Sequence, residues 1–147
     1  MLEIDEAIIK RIEDNTEIID YLGGNTDDSR VYSWNPAFDI VYSNSTPGAI
    51  FYQTSLTRRG VYSYPFQRQN KFLILRVAHF SKTTASLISE KLIELFDYDE
   101  NNYLETENYR VLRIDLSTYS DGNNEGTASQ PIYIKNLGFS FSNIFKR

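Results

Sequence analysis

The chain has no cysteine and one histidine in 147 residues. The first absence excludes disulfides, thiolate metal sites and thiol nucleophiles. The second leaves carboxylates as the only metal ligands in number. His79 also has no nucleophile and orienting partner around it. Ser81 is close in sequence, but two side chains at the end of a strand do not make a triad. No apolar run approaches the roughly 20 residues that a membrane helix needs. The start, Met1-Leu2-Glu3-Ile4-Asp5-Glu6, is acidic where a secretory signal begins positive, so a soluble, unexported chain is expected. Gly23-Gly24 follows a helical stretch, whereas a phosphate loop follows a strand and opens a helix. In Asp97-Tyr98-Asp99-Glu100-Asn101-Asn102 the glycine and closing glutamate of a calcium loop are out of place. The expectation is therefore no catalytic residue, no cofactor, no metal and no enzyme.

A further absence is local. From Ile40 to Ser89, fifty residues carry no Asp or Glu but six Lys and Arg, while the whole chain is at −5. By segment, residues 1–30 are net −6, 31–86 net +5, 87–109 net −6 and 110–147 net +2. A nucleic-acid binder usually has a basic total. An acidic total with segregated charge predicts two surfaces of opposite sign instead, and such a chain can stack on copies of itself.

Aromatics are abundant: 11 Tyr, 9 Phe and 1 Trp, or 14%. Tyrosine at this level suits strands and contact surfaces alike. With 41% hydrophobic and 24% charged residues, the composition is that of a folded domain, and 147 residues fit a single one.

Ile4, Ile8 and Ile12 with Ala7 predict an amphipathic helix. Asp14-Asn15 breaks it, Thr16 is the expected cap of a short second turn, and Gly23-Gly24 ends that turn. Strands are expected at 30–34, 49–56, 71–80, 109–116 and 131–141, with 38–42 a weaker strand or an extended excursion. In 109–116 the alternation sets Tyr109 and Val111 opposite Leu112 and Ile114. Ser81 caps a second main helix whose stripe is Ala85, Ile88, Leu92, Leu95 and Phe96. Residues 57–68 read as a long aromatic arm or loop, 98–108 as an acidic connector, and 120–129 as an exposed flexible tip. The fold class that follows is α+β: a mixed or antiparallel sheet of about 4–5 strands, two helices packed on one face, and a projecting hairpin or long loop.

The order of these pieces resembles a known family. An N-terminal helical pair ends in Ile18-Ile19-Asp20-Tyr21-Leu22-Gly23. Arg30-Val31-Tyr32 and a proline turn come next, followed by Pro47-Gly48-Ala49-Ile50-Phe51-Tyr52 running into a loop. Then come Phe72-Leu73-Ile74-Leu75-Arg76-Val77, Ser81, and a helix of the form Ala85-x-x-Ile88-x-x-Lys91-Leu92. This is similar to the tail-terminator, or tail-completion neck, proteins of long-tailed bacteriophages. The likeness spans nearly the whole chain in pattern and spacing, without one diagnostic motif.

The resemblance implies a single tail-terminator-like domain over residues 1–147. It implies a homo-oligomeric, hexameric ring at the head-proximal end of the tail that stops tube growth. Its partners would be the tail tube protein and a head-side connector or stopper protein, with DNA passing through the channel and no membrane involved. Localisation would be the tail or neck of the virion. Two alternatives stand beside it: another head–tail connector component, such as a head-closure or minor capsid protein, and a small aromatic-rich module binding nucleic acid or a ligand.

For a ring, one face of each subunit meets a different face of the next. The residues expected at such contacts are Arg58, Arg59, Tyr62, Tyr64, Phe66 and Arg68 of the arm, and Glu90, Glu94, Asp97, Asp99 and Glu100 of the acidic segment. Arg58-Arg59-Gly60 could grip a carboxylate or a phosphate in bidentate fashion; the plainer reading is an exposed loop with two solvated arginines.

Overall fold

Ile4, Ile8 and Ile12 recur every four residues, and in the computed structural model they form the fully buried stripe of α1 (Leu2–Glu13). The structure describes residues 2–34, 40–59, 68–97 and 103–147. Helix α2 (Thr16–Leu22) is capped by Asn15, whose Oδ1 accepts the Ile18 N–H at 3.1 Å. The cap is thus one residue earlier than the Thr16 expected, because Asn15 is the residue with extended backbone. Gly23 ends the helix at φ 78°, as expected. A Cβ there would lie 2.1 Å from the Ser45 carbonyl oxygen, so both the turn and the loop packed on it require glycine.

The remaining elements are β1 (Val31–Ser33), β2 (Gly48–Arg59), β3 (Arg68–His79), α3 (Lys82–Phe96), β4 (Leu104–Glu105), β5 (Tyr109–Asp121), β6 (Glu125–Gly126) and β7 (Pro131–Lys146). Ser81 caps α3 as expected, its Oγ accepting the Thr84 N–H at 3.2 Å. The strands join in the order β1-β2-β3-β7-β5-β4, with β6 paired to the start of β7. Among the described residues only β1 and β2 run parallel, and every other pairing is antiparallel.

The class is the α+β arrangement expected. Among the described residues it has three helices and seven strands, against the two helices and 4–5 strands predicted. The additions are short pieces. A two- or three-residue strand is too brief to show a period of two, and α2 is two turns long. Residues 40–42 are not a strand, and 38–39 lie outside the described residues, as do 60–67 of the arm and 98–102 of the connector. The hairpin strands run further into the arm than expected, to Arg59 and from Arg68. The 120–129 stretch is almost wholly exposed and contains the end of β5 and the short β6.

The core lies between the helices and one sheet face. Phe96 of α3 sits 5.3 Å from Phe139 and 6.1 Å from Phe141, centroid to centroid. Leu73, Leu75 and Val77 of β3 and Leu137 of β7 complete the layer. One face assignment failed. Val111 and Ile114, expected on opposite faces of β5, are both buried, and Leu112 is exposed. The β5–β7 ladder skips Leu112 and Asn143 without a change of register, the β3–β7 register shifts at the same place between Gln69↔Ile144 and Lys71↔Phe141, and Asn143 has φ 55°. That left-handed residue breaks the alternation, so both flanking side chains turn inward.

The opposite face is bare over its middle: Phe72 and Ile74 are 36% and 45% exposed. At one end Tyr42 covers Phe80 at 5.9 Å, and Trp34 lies under the Arg76 guanidinium at 5.2 Å.

Candidate assembly surfaces

Ladder pairing places the arm arginines. Arg59 pairs with Arg68 and Arg58 with Gln69, so three arginine backbones converge at the described end of the β2–β3 hairpin. Tyr62, Tyr64 and Phe66 lie outside the described residues. On the acidic side, Glu90 and Glu94 are one turn apart on α3 and exposed. Asp97 caps the C-terminus of α3, and its Oδ2 accepts the Leu116 N–H of β5 at 2.9 Å. Asp99 and Glu100 fall outside the described residues. The arginines are on β2 and β3, and Asp97 abuts β5, two strands beyond β3. One subunit therefore holds the two groups on opposite sides of its sheet.

Some of the segregated charge is settled internally. Lys71, a base of the acid-free stretch, points into the helix layer with its side chain 4% exposed and pairs with Asp5 of α1. Arg76 pairs with Glu125 of β6, and Lys91 with Glu17 of α2. Two of the six bases in the acid-free stretch, Lys71 and Arg76, are thus engaged within the subunit. A groove of about 390 Å³ between α1 and Tyr52 is lined by Asp5, Glu6, Glu13 and Asp14 with Lys10 and Ile9, a second acidic surface.

Two side chains without catalytic partners tie the elements around β2 together. Arg30 is 6% exposed at φ 65°. Its Nε donates to the Gly48 carbonyl at 3.0 Å and Nη2 to the Val41 carbonyl at 3.1 Å. Its guanidinium lies between the rings of Tyr32 and Tyr42, 5.8 and 5.7 Å from their centroids. As the first residue of the strand expected at 30–34, Arg30 carries no sequence signal of such a role.

His79 is the second. The Ser81 N–H can only donate, so Nδ1 accepts it at 2.9 Å, and Nε2–H donates to the Tyr21 carbonyl at 2.9 Å. The ring thereby ties β3 to α2 in its neutral form. Burial lowers its proton affinity, partly offset by the Tyr21 contact. The unfolded chain then takes up a proton near pH 6.5 that the folded chain refuses, so stability falls as pH drops below that value toward the lower folded pKa. Melting temperature is expected to decline between pH 7.5 and 5.5, and His79→Gln to remove most of that decline. Equal slopes in the two proteins would show that another group governs it.

No group of three or more His, Asp or Glu suited to a metal ion occurs among the described residues. No helix there is long and apolar enough to cross a membrane.

A two-layer α+β fold with a mixed sheet and one bare sheet face is the class these observations define. No family model and no curated protein matches the chain. Among solved structures it is similar to a chain of one described as "Virion of native gene transfer agent (GTA) particle". The TM-score is 0.63 at 7% identity, over 93% of this chain and 92% of that one. The two share a fold across almost their full lengths.

Proposed function

We propose that this protein is a structural, non-enzymatic component of a phage-type virion that forms a hexameric ring at the head-proximal end of the tail. There it ends the tail tube and joins it to the head-side connector, with DNA passing through the channel. The observation that carries this reading is the near full-length fold likeness to a chain of a gene transfer agent virion. The order of sequence elements described above supports the tail-terminator position within such a particle. A head-closure or minor capsid role rests on the same likeness and lacks that second support.

The placement of charge fits a head-to-tail contact, because the arm arginines and Asp97 cannot meet within one subunit and complementary charge sets register between copies. Arg58 and Arg59 are assigned to carboxylates of the neighbouring subunit among Glu90, Glu94, Asp97, Asp99 and Glu100. Arg68, Tyr62, Tyr64 and Phe66 extend the same contact.

Solution mass with negative-stain imaging tests the reading. Six-fold rings with an open channel are expected, alone or on tail tubes. A monomer that ignores tubes and binds single-stranded DNA in a salt-dependent way would replace it with the nucleic-acid module. Arg58→Glu with Arg59→Glu is expected to abolish rings at about 0.15 M salt, where exposed charges act over only about 8 Å. Normal rings from that variant would remove the arginines from the interface.

A further inference from the structure

We infer that copies of this chain join by strand addition, the open edge of β2 in one subunit pairing antiparallel with the open edge of β5 in the next. This deepens the ring reading above and rests on it. Strand β1 covers β2 only at Ile50–Tyr52, and β4 covers β5 only at Arg110–Val111. Among the described residues no strand covers β2 from Gln53 to Arg59 or β5 from Leu112 to Asp121. A bare edge is a row of unpaired N–H and C=O groups that templates another strand.

Backbone direction on β2 follows from its short covered end. The Ile50 N–H donates to the Arg30 carbonyl at 2.9 Å, and the Tyr52 carbonyl accepts the Trp34 N–H at 2.8 Å. Even-numbered residues therefore face outward, and the period of two sets the Thr54 and Leu56 groups along the bare edge. On β5, the Leu116 N–H faces outward and is held by the Asp97 carboxylate, a side-chain partner that an incoming strand would displace.

Three observations select a second copy as the occupant. First, the two windows stand at one level of the sheet: Ser55 pairs with Phe72, Phe72 with Ser140, and Ser140 with Asp115. A rotation about an axis along the strands brings them together without sliding one copy past the other. Second, the path β2-β3-β7-β5 is four strands, each antiparallel to the next. An even number makes β2 and β5 antiparallel, so alternation continues unbroken into the following copy. Third, the two edges differ in charge. Arg58 and Arg59 sit on β2 in a stretch without acids, and Asp97 stands at the β5 edge. Non-identical edges make the contact heterologous, the kind that closes a ring or, failing closure, runs into a filament.

The absence of cysteine gives a clean test on the full chain. Ser55→Cys with Asp115→Cys, and the next register, Gln53→Cys with Asp115→Cys, place thiols at cross-strand distance, within disulfide reach. At least one pair, oxidised at high protein concentration, is expected to give a covalent ladder that stops at the ring, while each single variant gives none. Thr54→Pro removes only an outward N–H and leaves the β2–β3 ladder whole. It is expected to weaken self-association at least tenfold with the melting temperature of the monomer little changed.

Wild-type rings without any ladder, and unaffected by Thr54→Pro, overturn the edge pairing and leave the ring reading intact. A ladder extending into open filaments upholds the pairing and overturns the ring. Neither rings nor a ladder overturns both.

Discussion

Asp5→Ala is expected to destabilise the fold by about 2–3 kcal/mol, because it strands Lys71 inside the helix layer without its counter-charge. The lysine side chain is 4% exposed and its partner 27% exposed. The cost should thus fall below the roughly 3–5 kcal/mol seen when a fully buried pair is broken. Lys71→Met in the same chain should restore most of the loss, since an apolar side chain of similar length suits the surrounding Leu73 and the α1 stripe. A urea titration of the wild type, both single variants and the double variant closes the cycle. Were Asp5→Ala and the double variant equally unstable, the carboxylate would matter through packing and not through the lysine.

Arg30→Ala is expected to cost about 3 kcal/mol. The guanidinium is the described donor to the Val41 carbonyl, links Gly48 to the loop, and fills the space between two tyrosine rings. Its removal takes the guanidinium donor from the buried Gly48 carbonyl and vacates a packed site. Arg30→Lys keeps the charge but offers no planar fork, so about half of that loss should remain. Denaturant midpoints read both values, and a lysine variant as stable as the wild type would show that charge alone holds the loop. Because that loop packs on Gly23 and on Phe80 beside it, proteolysis within 41–47 should accelerate in the alanine variant.

Much of the architecture was legible in local chemistry. The four-residue spacing of isoleucines set α1, glycine ended α2, Ser81 opened α3, and β-branched and large apolar residues marked β3. Those signals concern a residue and its near neighbours in sequence. Contacts decided by distant partners were not legible. Lys71 looks like a surface base within an alternating strand, and only Asp5, 66 positions earlier, makes its inward position tolerable. Val111 and Ile114 share a face because of Asn143 on a different strand. For the assembly surface, the sequence pointed to the arm and to the acidic segment. It could not say that they flank opposite sides of one sheet, since that depends on β7 entering between β3 and β5.

The position of β7 also bears on how the molecule is made. It follows every other strand in the chain, yet it lies inside the sheet, bonded along most of its length to β3 on one side and β5 on the other. As a polypeptide leaves the ribosome, the β2–β3 hairpin can zip locally, whereas β5 must wait for its partner. Closing the sheet then means inserting residues 131–146 between two segments already synthesised, a high-contact-order step that should dominate the folding time. Until then both flanking strands expose apolar side chains, and the unfinished chain is at its most prone to aggregate.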